Sequence, residues 1–280
     1  MTVYESPAKL NLALLVEPPR SDGYHPLQSL VQTIEWLDLV EVEEGDEDVL
    51  VVEGGGLDPE DNLLTRSVHA MRARGHVPPL DIRLEKRIPL GAGLGGGSSN
   101  AAATLTAVAE VSKLPQTLAE EVGPSLGSDV ALFFTGGSLL MTGVGDELES
   151  VPPLSGFAVA VAVPVFEMST PDVYRRWDEL EGPLGEEILP RLLPPALREG
   201  IPIRNDLAPA AFDLEPELAD FMADLRARWG VPVAMTGSGS ACFGFFPDLD
   251  EAAGAADSVA TRCRAAVGVR LRRKGVSRSV

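Results

Sequence analysis

The chain has 280 residues, of which 45% are hydrophobic and 23% charged, enough to bury one large core or two medium ones. Its 23 basic and 42 acidic residues leave a net charge of −19, which repels nucleic acid and anionic lipid and argues against both as partners. No apolar run is long enough to span a bilayer, and Cys242 and Cys263 follow no disulfide pattern, so a cytoplasmic protein with reduced thiols is expected. His25, His69 and His76 are scattered, and no structural zinc is expected.

Residues 3–16 alternate as a strand that points Leu10, Leu12 and Leu14 one way and Lys9, Asn11 and Ala13 the other. Lys9 and Asn11 then share a face. They are either the solvated side of an edge strand or a polar pair aimed into a site. Asp22-Gly23 marks a turn, and Tyr24 and His25 follow it side by side. Residues 27–43 and 49–53 alternate as strands, and Asp61-Asn62-Leu63 caps a helix reaching about Arg74. Residues 81–88 read as a half-exposed antiparallel strand that ends on Lys86 and Arg87.

From Pro89 to Asn100 the chain reads Pro-Leu-Gly-Ala-Gly-Leu-Gly-Gly-Gly-Ser-Ser-Asn. Gly91, Gly93, Gly95, Gly96 and Gly97 leave the backbone unshielded and able to turn N–H groups toward one anion. Ser98 or Ser99 then reads as the N-cap of an alanine-rich helix running to about Val111, whose positive dipole end suits a phosphate. Ser98 follows Gly97 where a Walker loop needs lysine, which excludes a P-loop. Gly91-x-Gly93-x-x-Gly96 fits the dinucleotide pattern, but the strand before it alternates where a parallel central strand would be continuously apolar.

Another helix is expected from Leu118 to Val122, and Asp129 then enters an apolar run, where an unpaired carboxylate is costly. It is either a helix cap or a functional group held near a cation. Gly136-Gly137 and Gly143-x-Gly145 punctuate two more strands, and residues 158–165 form a strand that opens the second half. Ser169-Thr170-Pro171 begins a helix carrying Tyr174, with proline near its first position. Residues 182–203, rich in Pro, Gly and Leu, are an irregular excursion. Asn205 caps the helix after it. Gly237-x-Gly239 lies between two strands, as a hairpin turn or as a cover over a ligand. Residues 249–265 read as a helix and 267–273 as a strand. Seven of the 23 cations lie at or beyond Arg262, read here as a solvated strand with a frayed terminus.

The glycine string resembles the phosphate-binding motif of the GHMP kinases, the superfamily of galactokinase, homoserine kinase and mevalonate kinase. Pro7-Ala8-Lys9-x-Asn11-Leu12, Gly127-Ser128-Asp129-Val130 and Gly237-x-Gly239 resemble further motifs of that superfamily, in the expected order. Asp22-Gly23-Tyr24-His25 points within it to the branch whose substrate carries a cytidine diphosphate. Ser128 stands where the family usually has a small Ala.

The resemblance implies an α+β protein of two domains: residues 1–155 with a ribosomal S5 domain 2-like fold, and residues 156–280 with a ferredoxin-like fold. It implies phosphoryl transfer from ATP with Mg²⁺ to an alcohol, in a cleft between the domains. Lys9 and Asp129 would be catalytic. Lys86, Pro89, Leu90, Gly91, Ala92, Gly93, Leu94, Gly95, Gly96, Gly97, Ser98 and Ser99 would hold ATP, Ser99 also through Mg²⁺. Asn11, Tyr24, His25, Thr170, Tyr174, Gly237 and Gly239 would hold the second substrate, with cytosine stacked between Tyr24 and Tyr174. Small molecules are the expected partners, of a monomer or weak homodimer. The alternatives are another small-molecule kinase of the superfamily and a non-catalytic nucleotide-binding protein.

Overall fold

The computed structural model describes residues 2–54 and 62–279, and two sheets organise it. The first has seven strands. Its path runs β11–β1–β2–β4–β3, with β1 at Thr2–Val16, β2 at Leu27–Glu44, β3 at Val49–Glu53, β4 at Leu80–Glu85 and β11 at Ser277–Arg278. β2 is long enough to pair β4 through Leu39–Glu44 and, through Ser29–Gln32, β5 (Ser138–Thr142), which pairs β6 (Glu147–Ser150). The second sheet runs β10–β7–β9–β8, with β7 at Ala158–Val163, β8 at Val233–Met235, β9 at Cys242–Phe246 and β10 at Ala265–Arg270.

β1 is a central strand, not an edge, and is buried from Ser6 to Leu14. Register shifts after Pro7 and Asn11 break the simple alternation. Leu10 and Leu12 therefore pack with Val159, Val161, Phe243 and Phe245 of the second sheet, whereas Leu14 packs with Trp177 and Leu207. One apolar layer thus joins the two halves, and removing a side chain such as Leu12 from it would cost about 2–5 kcal/mol.

Helix α1 (Leu63–Arg72) is capped by Asn62, whose side chain accepts from Leu64 N and Thr65 N; Asp61 lies outside the described residues. Helix α2 (Gly96–Val111) starts two residues before the expected cap, with Gly95 at the N-cap in the left-handed conformation. Ala101, Ala102 and Ala103 are buried, so small side chains let α2 lie close to the sheet. Helix α3 (Gln116–Val122) and helix α4 (Val130–Thr135) complete this half. In the second half, α5 (Thr170–Glu179), α6 (Ala208–Leu214), α7 (Pro216–Trp229) and α8 (Leu249–Asp257) surround the four-stranded sheet, with α8 shorter than expected. The excursion at 182–203 is tied down by Ile188, Leu193, Leu197 and Ile203, all buried in the shared layer.

The basic tail is not frayed. Arg272, 2% exposed, binds Glu5 and Glu35, β11 pairs β1, and Gly275 N donates to Thr135 O. The chain's last strand therefore rejoins the first sheet, across a boundary drawn at residues 155 and 156. Among the described residues, no helix is long and apolar enough to cross a membrane.

Candidate active site

A cavity of about 940 Å³ lies where the glycine stretch, the second half of β1 and the N-termini of α2, α4 and α5 converge. Its wall holds Lys9, Asn11, Tyr24, His25, every residue from Pro89 to Ser98, Asp129, Thr170, Tyr174 and Gly237. Segments that are far apart in sequence meet here because β1 runs under the glycine loop, with Lys9 N donating to Leu94 O.

The loop is locked by backbone contacts. Gly93 has φ +73°, and a Cβ there would stand 2.4 Å from Thr236 O. Ala241 N donates to Ala92 O, so the loop of the first half is zipped to the β8–β9 connection of the second. With Ser99 N already bonded to Gly95 O, the N–H groups of Gly96, Gly97 and Ser98 are the unpaired donors of the first turn of α2. Gly97 and Ser98 face the cavity, so this end of it has the donors to receive an anion.

Lys9 is buried beside that seat. Its Nζ donates to Asn11 Oδ1 at 2.5 Å and Gly93 O at 2.8 Å, and lies 3.8 Å from Asp129 Oδ2. Burial pushes the ammonium below the ordinary lysine value, and the Asp129 carboxylate pulls it part of the way back. Asp129 sits at the N-cap position of α4, yet its side chain makes no cap hydrogen bond. It is turned to Lys9 and the cavity instead. The pair sets a hydrogen-bond acceptor and a cation side by side where a substrate hydroxyl can reach them.

The other end of the cavity is aromatic. Tyr24 is 65% exposed on the turn after Asp22. His25 is packed against Tyr174 and Trp177 of α5, with ring centroids 5.1 and 5.5 Å away. Burial and then the Asp129 charge push the Tyr174 phenol up to about 12, so it remains a donor. Thr170 is bonded to Ser238 at 2.7 Å, which docks the start of α5 on the Gly237 turn.

Four expected contacts are placed differently. Lys86 does not reach the cavity: its side chain is 1% exposed and paired with Asp38, which also accepts from Arg87 N and Ile88 N. Burial lowers Lys86 and the Asp38 charge opposes it, as for an internal strut. Ser99 is fully buried, with its hydroxyl bonded to Ser6 Oγ. Gly239 packs toward Met235 and Met168, away from the cavity. Asn11 lines the wall, but its Oδ1 is taken by Lys9 and its Nδ2 by Ser29. It therefore orients the lysine.

The sequence reading passed over Thr236 and Asp38, and gave Asn205 only its helix cap. Thr236 accepts from Asn11 N through its hydroxyl. Asn205 caps Leu207 N and also donates to Met235 O and Gly237 O, holding the turn. Asp38 stands between Leu37 and Leu39 in an apolar strand, and that lone acid with Lys86 downstream was its available signal.

Residues 62–137 match the GHMP kinases N terminal domain and residues 191–265 the GHMP kinases C terminal domain. The 4-diphosphocytidyl-2-C-methyl-D-erythritol kinase of Rhizobium johnstonii is 37% identical over 262 residues, covering 90% of this chain and 86% of the relative. The chain belongs to this family of GHMP kinases. The same-named protein of Ruegeria pomeroyi is 38% identical over 250 residues, covering 86% of this chain and 88% of that one. A crystal structure of 4-(cytidine 5'-diphospho)-2C-methyl-D-erythritol kinase superposes with TM-score 0.78 at 34% identity, covering 96% of this chain and 98% of that one. Homoserine kinase from Cytophaga hutchinsonii shares the fold at TM-score 0.67 and 17% identity, covering 99% and 97% of the two chains. Membership of the GHMP family settles the two-domain α+β fold and kinase chemistry with ATP.

Proposed function

We propose that the protein transfers the γ-phosphoryl group of ATP to the 2-hydroxyl of 4-diphosphocytidyl-2-C-methyl-D-erythritol, in the non-mevalonate route to isoprenoids. The observation that carries this reading is one cavity with an anion seat and the Lys9–Asp129 pair at one end and the Tyr24–His25–Tyr174 group at the other. A nucleoside triphosphate end and a second, base-bearing substrate can meet across it.

In such a transfer the protein's part is positioning and charge neutralisation. The N–H groups of Gly96, Gly97 and Ser98 receive the phosphate oxygens. Asp129 accepts the proton of the substrate hydroxyl as its oxygen bonds to the γ-phosphorus, and the bond to the β-phosphate oxygen breaks to release ADP. Lys9 stabilises the charge that develops at the attacking oxygen, and Asn11 and Gly93 O fix its direction. Tyr24 and Tyr174 offer faces to the base, and the Gly237 turn lies beside the path of the diphosphate.

The cavity's oxygen donors fit Mg²⁺ carried in with ATP. Ser98 and Asp129 line it, and among the described residues no group of three or more acids or histidines could hold an ion alone. Mg²⁺ bound there would neutralise phosphate charge, held by Ser98 and phosphate oxygens.

The test is ADP release by the purified protein with ATP and Mg²⁺ against three alcohols in turn: the cytidyl substrate, mevalonate and homoserine. The cytidyl substrate alone should be turned over, with the new phosphate on the tertiary carbon by phosphorus NMR. Turnover of either simpler alcohol in its place overturns the assignment.

A further inference from the structure

Residues 272–279 line no part of the cavity, yet they reach behind both members of its charged pair. Helix α4, which presents Asp129 at its head, has only six residues. A helix that short does not hold itself together in water, and its N-cap makes no side-chain bond, so its position is imposed from outside. The tail imposes it at the far end. Gly275 N donates to Thr135 O at 2.9 Å and Val276 N to Phe133 O at 2.8 Å, filling carbonyls that a helix C-terminus leaves open. Phe133 carries that restraint inward. It lies one turn after Asp129 on the same face of α4, and it is fully buried. Its ring edge stands 2.8 Å, and Lys9 Cγ 3.0 Å, from the place a Cβ on Gly95 would take. The Phe133 ring, the stem of Lys9 and the N-cap of α2 thus meet at one point.

The same tail backs Lys9. Thr33 of β2 is the cross-strand partner of Lys9 and is completely buried. It turns its main chain away from β1, its N donating to Gly137 O at 3.0 Å and its O accepting from Arg272 N at 2.8 Å. Its hydroxyl accepts from Gly137 N at 2.8 Å and offers its one hydrogen to Arg272 O and Lys274 O, 3.1 and 3.2 Å away. Gly137 follows directly on Gly136, the C-cap of α4. One threonine therefore ties together the strand beside Lys9, the exit of the Asp129 helix and the tail. Arg272 fixes the tail in that place, donating to Glu5 at 2.7 Å, Glu35 at 3.0 Å and Ser277 Oγ at 2.8 Å.

We infer that residues 272–276 form a strap that holds Lys9 and Asp129 in register for phosphoryl transfer, and that Thr33 and Arg272 are its positioning residues. The inference rests on the reading of Lys9 and Asp129 as the reacting pair and deepens it. Thr33 and Arg272 act through β2 and α4, not on the substrate. Such an effect is large enough to measure, because a misplacement of about 1 Å caused far from the chemistry can cost about 10²-fold in rate.

The test replaces Thr33 in the full-length protein by valine, which keeps the shape and removes the hydroxyl, and by serine, which keeps the hydroxyl. Both variants are assayed at a temperature where circular dichroism shows them fully folded. Thr33→Val should lower kcat for the cytidyl substrate roughly tenfold or more, with KM for ATP within about twofold of wild type. Thr33→Ser should restore most of that loss. Amide hydrogen exchange, which needs no substrate, should rise along α4 in Thr33→Val and stay unchanged along α8. A normal kcat in folded Thr33→Val, an equal loss in Thr33→Ser, or exchange that does not rise along α4 overturns the inference and leaves the tail as a brace of the sheet. If Thr33→Val does not fold, Arg272→Lys is held to the same split, since it keeps a cation between Glu5 and Glu35 but loses the fork that bonds both. If the wild type turns over another alcohol instead, the reaction assignment fails and the same split, measured with that alcohol, still judges the strap. If it turns over none, exchange along α4 alone decides.

Discussion

Lys9 Nζ and Asp129 Oδ2 lie 3.8 Å apart across the cavity, one on a central strand and the other at the head of a short helix. Neither carries out an ordinary structural task. The aspartate leaves its helix end uncapped, and the lysine is buried at the cost of its own ionisation. Asp129→Asn should lower kcat by about 10²–10⁴-fold with KM for ATP little changed. Steady-state kinetics with the cytidyl substrate checks this, and near wild-type turnover would remove Asp129 from the chemistry.

The same pair sets an alkaline limit. Because burial lowers the Lys9 ammonium's proton affinity, its charge is complete at low pH and is lost as pH rises through a value below that of a free lysine. The log of kcat/KM should therefore fall on the alkaline side earlier than an exposed lysine would dictate. In Lys9→Arg, whose guanidinium keeps its proton throughout, whatever activity remains should lose that limb. A pH–rate profile of both proteins measures it.

Lys86 gives a test of strut against ligand. Lys86→Met leaves the Asp38 carboxylate buried without its cation, which should cost about 3–5 kcal/mol of stability. Denaturant unfolding should show that loss, and KM for ATP in the folded protein should barely move. A large rise in KM for ATP at unchanged stability would put Lys86 back at the nucleotide.

The tail closes over the end of α4, and Gly275 makes that closure possible. A Cβ on Gly275 would stand 1.9 Å from Phe133 O, so Gly275→Ala should destabilise by about 1–3 kcal/mol and lower Tm by several degrees. Gly254 is the control: it lies within α8 with nothing inside 4 Å of its added Cβ, and Gly254→Ala should stabilise by roughly 0.5–1 kcal/mol. Thermal unfolding of the two variants should move in opposite directions.

Local chemistry alone placed much of this protein. The run from Gly91 to Ser98 is legible as bare backbone leading into a helix, and the structure puts that backbone on the cavity wall. Lys9 and Asn11 share a face because a strand repeats every two residues, and the structure bonds them to each other. Other assignments needed contacts between distant segments, which spacing does not encode. Lys86 looks like a phosphate ligand until Asp38, 48 residues earlier, is found beside it in the interior. Ser99 looks available until α2 is seen to start at Gly96, which turns that hydroxyl inward to Ser6. The tail looks frayed until Arg272 is seen between Glu5 and Glu35. Sequence by itself determined backbone freedom, alternation and the presence of the reactive groups, since these depend on neighbours along the chain. Only the tertiary structure decided which charges are spent on each other inside and which are left facing the cavity, because burial and pairing are properties of the folded whole.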